Sequence, residues 1–215
     1  MTQPIGSVPA VINDRMKACI DQALGGGFGV REDLIPGARI SRLDASEQAM
    51  ACVMQPAAGV LLSGVKTLLT DQGSISYGAG MCFLIGLEQT GRFLFGRDAG
   101  GECLRSISVK LDAGTLRELM AAAPALKAEP GEFSGEQAGS YRVMPAPAGL
   151  VDAFSRLADL AMHPEDIPVM GSLIIREIHY RLLSSAFRGP LFSIFSQKGS
   201  VNRLAESIRW MTEHY

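Results

Sequence analysis

Gly59-Val60-Leu61-Leu62-Ser63, Lys66-Thr67-Leu68-Leu69-Thr70 and Ser74-Ile75-Ser76-Tyr77 follow one another with only Gly64-Val65 and Asp71-Gln72-Gly73 between them. Each block is long enough for a strand and too short for a helix. The spacers leave no room for crossover helices, so neighbouring blocks must pair antiparallel. The same rhythm extends outward. Ala38–Leu43 and Met50–Gln55 precede the stretch; Met81–Gly86, Gly91–Phe95 and Cys103–Leu111 follow it. Turns fall at Ser63-Gly64, Asp71-Gln72-Gly73, Gly78-Ala79-Gly80 and Asp98-Ala99-Gly100-Gly101, where glycine and aspartate supply turn geometry. Short strands at even spacing predict an antiparallel barrel or jelly roll.

Helical periodicity brackets this region. After a loose lead-in, Ile12, Met16, Ile20 and Leu24 form one face of a helix over 11–24, and Gly25-Gly26-Gly27 ends it. The triple glycine follows a helix and precedes no Lys-Ser/Thr, so it reads as a C-cap and not as a phosphate loop. Asp112 caps a helix through Ala122. Residues 124–149, rich in Pro, Gly and Ala, read as a long linker, and helices are expected at 150–161, 167–184, 191–195 and 200–215. The expected fold is α+β with a mainly β core: a helical lead-in (1–27), a cupin-like antiparallel barrel or jelly roll (28–111), and a helical subdomain (112–199). The text from Ser200 places Val201, Leu204, Ala205, Ile208 and Met211 at helical spacing, then stops at Tyr215 without a capping residue. It reads as the start of an interdomain helix leading to a further domain.

Composition narrows the function. Of 215 residues, 47% are hydrophobic and 20% charged, and the formal net charge is −2. That builds a core and suits no disordered chain. A domain that grips phosphates usually has a pI above ~9 and clustered Lys/Arg; here the pI is about 5.9. Cys19, Cys52, Cys82 and Cys103 have no CxxC spacing and sit among apolar residues, which favours buried, reduced thiols in a cytoplasmic protein. No signal peptide or membrane-spanning apolar run is present in the sequence.

Three stretches resemble the N-terminal domain of AraC-type transcription regulators. Val60–Lys66 resembles the family's apolar strand and its Gly and Lys turn. Ile107–Asp112 with Leu116–Leu119 resembles its strand leading into a helix. Leu173–Leu183 with Ile208–Tyr215 resembles its helix and the lead-in to a DNA-binding half. The resemblance runs from about residue 35 to the end. It implies a cupin-like barrel that senses a small-molecule effector, C-terminal helices that form a homodimer, and promoter DNA contacted only through a C-terminal domain outside this sequence.

The site candidates follow. A cupin metal centre needs two or three histidines from adjacent strands. The histidines here are His163, His179 and His214, all outside 28–110. No metal or other cofactor is therefore expected. The sequence has no Gly-x-Ser-x-Gly elbow and no histidine near a strand end to activate a nucleophile, so the chain does not read as an enzyme. A ligand cavity would be walled by inward-facing strand residues: Cys52 and Met54, Phe83 with Ile85, and Phe93 and Phe95. Arg105 shares a strand face with Cys103, Ile107 and Val109. A cation there needs a partner, either an anionic ligand, an internal carboxylate or water. Cys103 shares a strand face with the Arg105 cation and is the candidate reactive thiol. Glu177 and Arg181 are spaced to pair on the exposed side of their helix, and His179 beside them is expected on a polar face.

Overall fold

Alternation along Leu104–Lys110 sets the architecture, because Leu104, Ser106 and Ser108 point one way and Ile107 and Val109 the other, each side into its own core. The computed structural model describes residues 10–46, 48–70, 73–123 and 141–195. In chain order these form α1 (Ala10–Ala23), β1 (Gly29–Arg31), β2 (Ala38–Leu43), β3 (Met50–Met54), β4 (Ala57–Ser63), β5 (Val65–Thr70), β6 (Gly73–Gly78), β7 (Met81–Ile85), β8 (Gln89–Gly96) and β9 (Leu104–Lys110). They continue with α2 (Ala113–Ala122), β10 (Tyr141–Pro145), α3 (Ala148–Leu160), α4 (Ile167–Leu183) and α5 (Arg188–Phe195).

The strands make two antiparallel sheets, ordered β1-β2-β9-β4-β7-β10 and β3-β8-β5-β6. The chain passes from one sheet to the other at Ser63-Gly64. Gly64 has φ +72°, and a Cβ there would lie 2.5 Å from the Leu104 backbone. Its amide donates to the Asp98 carboxylate at 3.0 Å. The crossover therefore requires glycine. The α+β fold with an antiparallel jelly-roll core stands as the sequence implied.

Between the sheets, Met54, Leu61, Leu68, Tyr77, Phe83, Ile85, Phe93, Leu104 and Tyr141 form the inner core. The opposite face of the larger sheet carries Ala58, Val60, Leu84 and Ile107. There it meets Met16 and Ile20 of α1, Phe154 and Leu157 of α3, and Ile178 and Leu182 of α4. Thus the described parts of the lead-in, barrel and helical segments share one core. Asp112 caps α2 as expected, its carboxylate accepting from the Thr115 amide at 2.6 Å.

The linker reading of 124–149 needs correction. Tyr141–Pro145 pairs with β7 from Tyr141–Ile85 to Pro145–Met81, and α3 begins at Ala148. Tyr141 and Val143 face the inner core while Met144 faces the helices. This period-two pattern was hidden by flanking Pro and Gly, which an edge strand tolerates. β1, three residues long, was also missed. The expected helix at 200–215, and the lead-in at 1–9, lie outside the described residues.

Candidate functional site

A cavity of about 370 Å³ opens between the two sheets. The larger sheet supplies Arg39, Ser41 and Leu43 from β2, Leu104, Ser106, Ser108 and Lys110 from β9, and Phe83 and Ile85 from β7. The smaller sheet supplies Cys52 and Met54 from β3, Lys66 from β5, and Phe93 and Phe95 from β8. Glycine keeps the floor close: a Cβ on Gly59 would lie 2.5 Å from Ser108 Cβ and 2.8 Å from Phe83 Cζ. Phe83 stacks on Tyr141 at 6.4 Å between centroids, and Phe93 lies 6.2 Å from the same ring. The Tyr141 and Tyr77 hydroxyls bond one another, and burial pushes both phenols well above their ordinary pKa. The two walls differ chemically. The larger sheet presents serine hydroxyls beside Phe83, the smaller one Lys66 with Phe93 and Phe95.

Lys66 is the site's unusual group. Its Nζ lies 4.2 Å from the Phe93 ring centre and 4.8 Å from that of Phe83. Among the described residues no carboxylate pairs with it. Removal from water lowers the amine's pKa from 10.5 to about 8; Cys52 opposes that shift and the nearby Arg39 cation adds to it. Arg39 itself pairs with Glu32 at 3.4 Å, near the rim. The hydroxyls of Ser41, Ser106 and Ser108 make no hydrogen bond to any described residue, although Ser41 and Ser108 are buried. Their oxygens line the cavity and are open to what fills it, water or ligand.

Of the residues the sequence offered, Cys52, Met54, Phe83, Ile85, Phe93 and Phe95 line this cavity. Arg105 does not. Its guanidinium binds both oxygens of Asp21 at 2.8 and 3.0 Å, with Glu102 and Ser63 Oγ at 3.2 Å, and so fastens α1 to the barrel. Its partner is an internal carboxylate. Cys103 beside it is buried, so the reactive-thiol reading loses its access; Cys52 is the exposed cysteine, contrary to the expectation that all four are buried. Lys66 was the missed residue. Its signal was a lysine on the same strand face as the buried Leu68.

His179 also differs from expectation. It is fully buried, with Nε2 accepting from the Asp112 amide at 2.9 Å and Nδ1 donating to the Ile175 carbonyl at 2.7 Å. Burial holds its pKa below the usual value. The residue bridges the end of the barrel to α4. Beside it, Glu177 pairs with Arg181 as expected and with Arg156 of α3 at 2.6 Å. Among the described residues no three His, Cys, Asp or Glu side chains gather as a metal site. No helix among them is long and apolar enough to cross a membrane.

A family model described as AraC-type transcriptional regulator N-terminus matches residues 34–189, well over half the chain. The stretch 208–215 lies beyond that match. No curated protein sequence matches. Among solved structures, an apo variant of ToxT from Vibrio cholerae is similar at 8% identity and a TM-score of 0.45, over 71% of this chain and 58% of that one. ToxT of the same organism with bound unsaturated fatty acid is similar at 7% identity and TM-score 0.39, over 80% and 68%. The AraC-like transcriptional activator CuxR is similar at 15% and TM-score 0.32, over 70% and 48%. The chain thus spans about 58% of the length of the first of these. Similarity at this level says nothing of what the chain binds.

Proposed function

The chain belongs to the AraC-type transcriptional regulator N-terminus family, and on that premise we propose that it is the effector-sensing and dimerisation domain of a cytoplasmic regulator, with the inter-sheet cavity as effector site. The observation that carries this reading is the cavity itself. It joins aromatic rings to a few polar groups, the make-up of a small-molecule pocket. Its volume falls within the ~300–1,000 Å³ usual for such pockets.

In this reading the ligand acts on the helices. β9 lines the cavity with Ser106, Ser108 and Lys110 and runs directly into Asp112, whose amide His179 of α4 accepts. A ligand that binds one arrangement of β9 better than another shifts α4 with it, by as much as its differential affinity. Homodimer contact falls on the outer side of α4. There Val169, Met170, Leu173 and Tyr180 are exposed, opposite the buried stripe of Ile174, Ile178 and Leu182. Promoter DNA would be held by a domain outside this sequence.

Thermal-shift screening of metal ions and small metabolites against the wild type and Ser106→Trp, which fills the cavity from β9, tests the proposal. The expected result is a metabolite that raises the Tm of the wild type and not of the variant. Metal stabilisation with turnover would point instead to an enzyme. Silence in every well would leave a dimerisation module.

A further inference from the structure

We propose that the effector is an organic anion, a small carboxylic acid with an apolar or aromatic body, whose carboxylate sits on the Lys66 ammonium while its body lies against Phe83 and Phe93. This rests on reading the cavity as the effector site and adds the ligand's chemical class. Three observations carry it. Among the described residues the charged groups around the cavity are Arg39, Lys66 and Lys110 against Glu32, and Glu32 is already paired with Arg39. The site is therefore cationic within a chain of net charge −2.

Second, Lys66 is held inside the barrel with ring faces as its only partners among the described residues. Ring quadrupoles replace a fraction of a lysine's hydration, whereas a carboxylate replaces it with a charge-assisted hydrogen bond. A buried ammonium without a counter-charge is a costly arrangement that an entering anion relieves. Third, the opposite wall offers Ser41, Ser106 and Ser108 hydroxyls with no partner among the described residues. Hydroxyls donate readily to a carboxylate oxygen. A neutral ligand satisfies the hydroxyls and leaves the lysine uncompensated. Inorganic phosphate satisfies both but leaves the aromatic rings uncovered.

The test uses matched probes on the whole chain: 3-phenylpropionate against 3-phenylpropanamide, and octanoate against octanamide. Each is measured as displacement of the neutral dye N-phenyl-1-naphthylamine. Dye binding to the wild type, weakened in Ser106→Trp, reports the cavity independently of charge. The proposal expects at least one acid to displace the dye at least about tenfold more tightly than its amide. It expects that preference to vanish in Lys66→Met and survive in Lys66→Arg, each acid-to-amide ratio being read against that variant's own dye affinity. Acid and amide binding alike, or an acid preference that persists in Lys66→Met, overturns the anion proposal and leaves the sensor reading standing. Displacement by none of the four probes while the dye binds also overturns it. Failure of the dye itself to bind the wild type overturns the cavity reading beneath.

Discussion

Lys66 decides more than any other single position. Below its folded value of about 8 the lysine is charged in both the folded and the unfolded chain, so the full cost of burying that charge is present. Between about 8 and 10.5 the native protein sheds the proton that the unfolded chain keeps, and stability rises with pH. Lys66→Met should therefore be more stable than the wild type at pH 7 by about 1–2 kcal/mol, the two ring faces offsetting part of the desolvation cost. Denaturant melts at pH 7 and pH 10 should show the gap closing; a variant less stable at both would contradict the account. His179 has the same sign in a lower pH range. Its depressed pKa means that its contribution is present above about 6.5 and is lost as pH falls below that value, because Nε2 cannot accept from the Asp112 amide once protonated. His179→Gln should flatten that acid loss in equilibrium melts, and an unchanged acid limb would contradict it. Among the thiols, iodoacetamide on native protein should mark Cys52 and spare Cys103, since only the former is exposed. Peptide mass mapping reads this directly.

At the scale of elements the crossover at Ser63-Gly64 is the most constrained join in the barrel. Gly64→Ala should cost about 2 kcal/mol or more, from the left-handed backbone and the clash with Leu104 together. Urea denaturation measures it, and a loss within about 0.5 kcal/mol would contradict the geometry. The inward faces were legible because strand alternation is strict: Phe83 and Ile85 had to share a side, as did Cys52 with Met54. Arg105 was misplaced for a specific reason. Alternation shows which residues share a face but not which face is the inside, and in this sheet both faces are buried. Its face turned out to be the one beneath α1, where Asp21 waits. Lys66 escaped notice because it read as the first residue of its strand, whereas β5 begins one residue earlier and Lys66 lines the cavity. His179 was placed on a polar face by its neighbours Glu177 and Arg181. On α4 the buried arc is wide enough to include it, with Ile178, Leu182 and Leu183.

Across the whole molecule, the account links a cavity on one face of the larger sheet to helices packed on the other. The sheet is the shared wall. Dimer formation through the outer side of α4 predicts that Leu173→Glu shifts the protein toward monomer, at least about tenfold in dissociation constant, because a charge replaces an apolar contact at the centre of the exposed stripe. Sedimentation equilibrium checks it, and an unchanged association constant would move the interface elsewhere. The central claim is that occupancy of the cavity is felt by α4 through β9 and the Asp112–His179 bond. The most direct test is amide hydrogen exchange of the whole chain with and without saturating N-phenyl-1-naphthylamine. The account predicts slower exchange in 50–54, 65–70, 89–96 and 104–110, together with altered exchange at Asp112 and along 167–183. Protection confined to the strands, with 112 and 167–183 unchanged, would contradict it.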